Sequence, residues 1–250
     1  MKNALKARAI LFDLFGTLVR FDTSRVPVLQ LPRGPVPSTV PSYASMLAEI
    51  QPGLDPAAFH EALVAVSEEI VRARRQSHRE MPSRERFARA LQRLGVGGEN
   101  VQVHAERLSL AHMEQLVAAA TAHPGHCSLL ERLGKRAVLG CITNFDHAPS
   151  ALRILHRTGI APFLTAVVVS DSFGLCKPSP AIFHEGLRAL EVRAYEAIFV
   201  GDSFTEDVCG ATSAGLAAVW LNPTGSIPPS GPVPTATIRD LTEIEALVTG

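Results

Sequence analysis

Asp13 ends the apolar run Ala9-Ile10-Leu11-Phe12 and opens the turn Asp13-Leu14-Phe15-Gly16-Thr17. Four apolar residues followed by an acid and a glycine read as a buried strand that stops at a loop. In open α/β sheets the loop at a strand's carboxyl end is where ligands bind. A carboxylate held in such a mouth can act as a nucleophile. Three later segments join it. The run Ala137 to Thr143 is a second apolar strand, ending in a hydroxyl and followed by Asn144. Gly174-Leu175-Cys176-Lys177-Pro178 places a cation in a turn. Ala197 to Gly201 is a third strand, closed by Asp202, with Asp207 five positions on. Taken singly, each has an ordinary explanation. Thr143 would be a strand-end threonine and Lys177 a solvated loop lysine. Asp202 would be a helix N-cap, and Asp207 a first-turn acid favoured by the helix dipole. The ordered set, with strand and helix signals between its members, points to one catalytic mouth.

That ordered set resembles the four motifs of the haloacid dehalogenase superfamily of hydrolases. Asp13 to Thr17 match the first motif, Thr143 the second, Lys177 the third, and Asp202 with Asp207 the fourth. The resemblance covers the first 20 residues and about the last half of the chain. It implies a covalent intermediate on Asp13 and a Mg²⁺ ion held by Asp13, Asp202 and the backbone carbonyl of Phe15. The residue types suit that chemistry. A carboxylate attacking a phosphate dianion needs a cation to offset charge repulsion, and Mg²⁺ takes hard oxygen ligands. Thr143 and the backbone amide of Asn144 would bind phosphoryl oxygens, and Lys177 would supply a fixed positive charge. Asp207 would orient Lys177 or a metal-bound water.

Phe15 departs from the phosphatase pattern of that family. Its phosphatases usually carry a second Asp there, as general acid for the leaving group and general base for water. Phenylalanine can do neither. An aromatic residue before Gly-Thr looks like the dehalogenase branch, where Asp13 would displace halide from a 2-haloacid without metal. That branch usually has a Ser-Asn type fourth motif. Here Asp202 and Asp207 put negative charge where an anionic substrate without metal would be repelled. A phosphonate-hydrolysing branch also lacks the second Asp but relies on a cap lysine, and residues 20–134 contain none. The expectation is therefore a Mg²⁺-dependent, phosphatase-like hydrolase of a small metabolite. A metal-independent 2-haloacid dehalogenase is the runner-up, and a low-activity regulatory or binding protein that keeps the fold is the third reading. Arg20, Arg25 and Arg33, after the first motif, are candidates to grip a second anionic group in a bidentate way, or else ordinary surface arginines.

The elements that position these residues follow from patterning. The chain has 250 residues and no formal net charge. No basic stripe calls for nucleic acid, and no apolar stretch approaches the length of a membrane span. The four cysteines contain no CxxC pair and read as reduced thiols of a cytoplasmic protein, with Cys176 partly exposed near the site. The nine histidines are scattered without a zinc pattern. Five prolines over residues 21–41 predict a loop. Phe59, Leu63, Val66 and Ile70 have helical spacing. Ser83 precedes a second helix holding Phe87 and Leu91, stopped near Gly95. Leu108, Met113, Leu116 and Val117 mark a third. Beyond about His123, strands near 137–143, 166–170, 197–201, 217–221 and 235–238 alternate with helices, which argues for a parallel sheet with helices on both faces. The expected fold is a doubly wound, Rossmann-like α/β core, residues 1–20 and 122–250, with a helical domain, residues 21–121, inserted after the first strand. The family resemblance makes that insert a cap. The partner would be a small-molecule substrate, without nucleic acid or membrane, in a monomer or homodimer.

Overall fold

A computed structural model of the chain describes residues 5–249. β1 (Leu5–Lys6) leads into β2 (Ala9–Phe12), whose four residues are all buried. The run is continuously apolar because both faces are covered. Ile10 and Phe12 join one cluster with Leu129, Leu133, Ile154 and Leu155, and Ala9 and Leu11 join another with Ile182, Phe183 and Leu187. Past the first-motif turn the chain leaves the sheet along β3 (Val19–Phe21).

The predicted proline-rich loop contains an antiparallel hairpin, β4 (Val28–Leu31) with β5 (Gly34–Pro37). Pro35 and Pro37 are tolerated because a two-stranded ribbon has an outer edge on each strand that needs no ladder donor. Four helices follow: α1 (Ala44–Ile50), α2 (Pro56–Ser77), α3 (Ser83–Arg93) and α4 (Val101–Ala119). Asp55 caps α2 by accepting from the amides of Ala57 and Ala58, and Pro56 takes the first helical position. The predicted stripe Phe59, Leu63, Val66, Ile70 is buried, packed with Tyr43, Phe87, Leu91 and Leu108. Each fully buried large side chain contributes about 1.5–3 kcal/mol by leaving water. α2 stops where His78 turns into the left-handed region at φ 53°.

The chain returns along β6 (Ala120–Ala122), antiparallel to β3. It then alternates helix and strand: α5 (His126–Gly134), β7 (Val138–Thr143), α6 (Ala148–Arg157), β8 (Ala166–Val169), α7 (Ser170–Phe173), α8 (Pro180–Ala189) and β9 (Ala197–Gly201). One turn of π-helix, Phe204–Cys209, precedes α9 (Gly210–Ser213). β10 (Ala217–Leu221) and β11 (Ala236–Ile238) flank the exposed proline-rich loop, and α10 (Ile244–Leu247) leads to β12 (Val248–Thr249). β12 pairs with β1, a contact too short to leave a sequence signal.

The main sheet is parallel, in the order β11-β10-β9-β2-β7-β8. This is the doubly wound α/β fold that the alternation predicts, with a helical insert between β2 and β7. From β2 the chain winds outward through β7 to β8, then crosses back to β9 and winds the other way. The direction reverses beside β2, so the ligand crevice lies at the carboxyl ends of β2 and its neighbours. No helix among the described residues is long and apolar enough to cross a membrane.

Candidate active site

Three adjacent strands deliver the site. Asp13 follows β2, Thr143 ends β7 and Asp202 follows β9. The backbone amide of Asp13 donates to Val200 O at 2.9 Å, which ties the first-motif turn to β9. The indole of Trp220 on β10 donates to Asp202 O at 2.9 Å and fixes the start of the fourth-motif turn. Lys177 comes from the loop beyond β8. Its Nζ donates to Asp13 Oδ1 at 2.5 Å and to Asp207 Oδ1 at 2.7 Å. The second oxygen of Asp207 accepts from Ser203 N at 2.8 Å. Both Asp207 oxygens thus have partners within the protein, one of them Lys177. The N-cap of the π turn is Ser203, whose side chain accepts from Glu206 N. Asp202 is not that cap and faces the mouth.

Two glycines make room for these carboxylates. A β-carbon on Gly16 would stand 2.3 Å from Asp202 Oδ2, and one on Gly201 would stand 2.3 Å from Asp207 Cγ. Gly16 also sits at φ +90°, where an L side chain is strained.

Charge is unbalanced here. Asp13, Asp202 and Asp207 bring one oxygen each to within 4.8 Å of one another, and Lys177 is the cation among them. Burial is the chief reason that Asp13 is pushed up to about 7; Lys177 opposes the shift, and Asp207 and Asp202 add to it. Asp202 is also raised, by burial of its inner side and by Asp207. Burial alone would lower Lys177, but Asp13 and Asp207 outweigh it and hold the ammonium above its ordinary value. A cluster of hard oxygens with one cation too few fits a divalent ion of the Mg²⁺ type. Thr143 Oγ1 and Thr17 Oγ1 are buried with no hydrogen-bond partner in the protein, so each has a proton and lone pairs free for a ligand.

The remaining candidates take the following places. The Asn144 side chain is taken up within the protein, which leaves its backbone amide as the group expected to meet a phosphoryl oxygen. Its Oδ1 accepts from Lys177 N at 2.7 Å, and its Nδ2 donates to Lys177 O and to Glu206 Oε2, both at 3.0 Å. It clamps the lysine backbone. The Phe15 ring stacks on Phe21 with centroids 4.8 Å apart and meets Phe145 at 4.9 Å, tying the first-motif turn to β3 and to the loop after β7. Arg25 pairs with Asp22 and Arg33 with Glu61, both on exposed side chains. Arg20 is exposed as well. The arginines that share a cavity with Lys177 are Arg74 and Arg75, both on α2. That cavity, of about 500 Å³, is also lined by Ser203 and Glu206. Arg86 pairs with Asp146 at 3.0 Å and borders a cavity of about 640 Å³ walled by α2 and α4. Nothing in the local sequence marks Arg86, because its partner Asp146 lies on a remote segment. Cys176 is fully buried rather than partly exposed, covered by the chain between α2 and α3.

A family model of haloacid dehalogenase-like hydrolases matches residues 7–215. The chain belongs to that family. It is 34% identical over 151 residues to the pyrimidine 5′-nucleotidase YjjG of Escherichia coli strain K12, covering 60% of this chain and 67% of that one. It is 31% identical over 175 residues to the glyceraldehyde 3-phosphate phosphatase of Methanopyrus kandleri, covering 70% and 72%. Among solved structures, a 2-haloacid dehalogenase from Pseudomonas syringae superposes with a TM-score of 0.70 at 24% identity, covering 96% of this chain and 97% of that one. The HAD-hydrolase YfnB of Bacillus subtilis, solved with magnesium bound, gives 0.65 at 22% identity, covering 97% and 99%. At these identities the structural likenesses establish the hydrolase fold alone.

Proposed function

We propose that this haloacid dehalogenase-like hydrolase is a Mg²⁺-dependent phosphatase of a small phosphorylated metabolite in the cytoplasm. The observation that carries the reading is the acidic cluster around one buried lysine. Without a metal, the carboxylate of a 2-haloacid would enter a mouth that already holds three acids. The relatives named above are a nucleotidase and a phosphatase, which supports the same choice over the dehalogenase. Asp13, the carbonyl of Phe15 and Asp202 would hold the ion, and the magnesium in YfnB is in keeping with that. When bound, Mg²⁺ neutralises charge on the phosphoryl group.

The chain's own residues would do the rest. An Asp13 oxygen attacks phosphorus, and the bond to the ester oxygen breaks, leaving an aspartyl phosphate and an alkoxide or phenoxide. Water then attacks phosphorus, the acyl-phosphate P–O bond breaks, and Asp13 returns as a carboxylate with release of inorganic phosphate. The Thr143 hydroxyl donates to a phosphoryl oxygen, and Lys177 supplies fixed positive charge throughout. Residues 21–121 act as the cap, and the 500 Å³ cavity that α2 shares with Lys177 receives the organic part of the ester. The test is a panel of phosphate esters and 2-haloacids, with Mg²⁺ or with EDTA, scored separately for phosphate and halide. Phosphate release that EDTA abolishes is expected. Halide release indifferent to EDTA would overturn the reading in favour of the dehalogenase.

A further inference from the structure

The chain between α2 and α3 reaches into the sheet's carboxyl end. The left-handed turn at His78 sends it toward the loop that precedes Lys177. There the two segments pair as a single antiparallel rung, Arg79 opposite Leu175. His78 O accepts from Cys176 N at 2.7 Å, and Glu80 N donates to Gly174 O at 3.1 Å.

Glu80 goes deeper than its backbone. Its side chain is 1% exposed, and every partner of its carboxylate is a donor. Oε1 accepts from Arg74 and from Met81 N. Oε2 accepts from Ser170 Oγ at 2.5 Å and from Cys176 Sγ at 3.1 Å. A seam of apolar residues would hold an insert to a sheet without the desolvation cost of a buried carboxylate. The donors show what the carboxylate organises. Ser170 starts α7, and its hydroxyl accepts from Phe145 N at 2.9 Å. Cys176 is the neighbour of Lys177. Asn144 already clamps the lysine backbone from the sheet side. Glu80 holds the preceding residue from the side of the helical insert.

We propose that Glu80 is a positioning residue for Lys177, carried by the helical insert, so that the lysine loop takes its working place only with the insert seated. The inference rests on the reading of Lys177 as the fixed charge at the reacting phosphate. It assigns Glu80 no contact with substrate.

Glu80→Gln tests it. The amide oxygen must stay on Arg74 and Met81 N, which can only donate. The amide NH₂ then faces Ser170 and Cys176, whose hydroxyl and thiol must turn from donors into acceptors, so the rearrangement falls on the lysine loop. Two readouts are compared with the unmodified protein: turnover of an aryl phosphate with Mg²⁺, and iodoacetamide labelling of each cysteine, quantified by peptide mass spectrometry. We expect kcat to fall about 10- to 100-fold, the scale of a misplaced catalytic group, with KM changed much less. Labelling of Cys176 should accelerate several-fold while Cys141, buried inside β7, stays as slow as before. A merely structural glutamate would accelerate both cysteines together through global opening and leave kcat per folded molecule unchanged. Either result overturns the proposal, as does a fall in kcat with Cys176 still protected. If Glu80→Gln proves insoluble, Ser170→Ala cuts the same link from the other side and should move both readouts in the same direction. Should the unmodified protein release phosphate from no ester, the functional reading fails. The contrast between Cys176 and Cys141 still decides whether Glu80 holds the loop.

Discussion

On the proposed function, two residues separated by one position set the chemistry. Asp13 has its carboxylate against Lys177, and burial pushes it up to about 7. Asp13→Asn keeps the shape and removes the nucleophilic oxygen's charge. Turnover should fall by several orders of magnitude. The melting temperature should hold, because the folded site already resists an ionised group there. Near wild-type turnover, in protein checked for deamidation, would remove Asp13 as nucleophile. Phe15 makes a different kind of prediction. Its ring is held between Phe21 and Phe145, so that position offers no proton to the leaving group. The rate should then depend steeply on leaving-group pKa, with aryl or acyl phosphates far ahead of alkyl phosphates of similar size. Phe15→Asp could regain a factor of about 10²–10⁴ if the carboxyl can reach the ester oxygen. Removal of the ring also undoes the aromatic stack, so the slope in the unmodified protein is the sharper measurement. A shallow slope with chemistry rate-limiting would mean that another side chain donates the proton.

At the scale of elements, strand ends matter more than strands. β9 ends at Gly201, whose neighbour across the turn is the Asp207 carboxylate. The backbone there is not in the left-handed region, so Gly201→Ala is a purely steric probe. Its methyl would displace Asp207, and with it one of the two carboxylates on Lys177. Turnover should drop by at least the roughly 10²-fold expected of a group moved by about 1 Å. Circular dichroism should show the sheet intact; unchanged turnover would mean that Asp207 does not orient the lysine. The strands of the main sheet were legible in sequence for a physical reason. Burial on both faces writes them as unbroken apolar runs, and β10 spans Ala217–Leu221 as the pattern predicts. The same ends made Asp13, Thr143, Lys177 and Asp207 legible, because each stands just after such a run or in its loop. The hairpin β4–β5 was not, since its prolines mimic a loop. Nor was Glu80, whose serine partner is 90 positions away. A charged residue between two helices carries no periodic signal of what it will meet.

Over the whole molecule, buried titratable groups should write opposing pH dependences into stability. His112 lies in the helical insert, its Nδ1 2.7 Å from Thr39 Oγ1 and its Nε2 3.4 Å from an Arg86 nitrogen. Arg86 can only donate, so the neutral ring accepts at Nε2 and its Nδ1–H is left to meet the threonine oxygen. Burial first, and the Arg86 charge second, push His112 down to about 3. Its unfolded value is near 6.5, so between these limits the unfolded chain binds the extra proton. Stability from this group is present above about pH 6.5 and is lost as pH falls towards 3, with a limiting slope of about 1.4 kcal/mol per pH unit. Asp13 has the opposite sign. Its folded value is raised, so the native state binds the extra proton between pH 3.8 and about 7, and acidification there favours folding. The slope of the unmodified protein is therefore a partial cancellation, and the two contributions separate only by difference. In EDTA, urea unfolding at pH 7 and pH 5 should show His112→Gln losing less stability on acidification than the parent. Asp13→Asn should lose more. Parallel behaviour of all three proteins would mean that neither group titrates as its burial dictates.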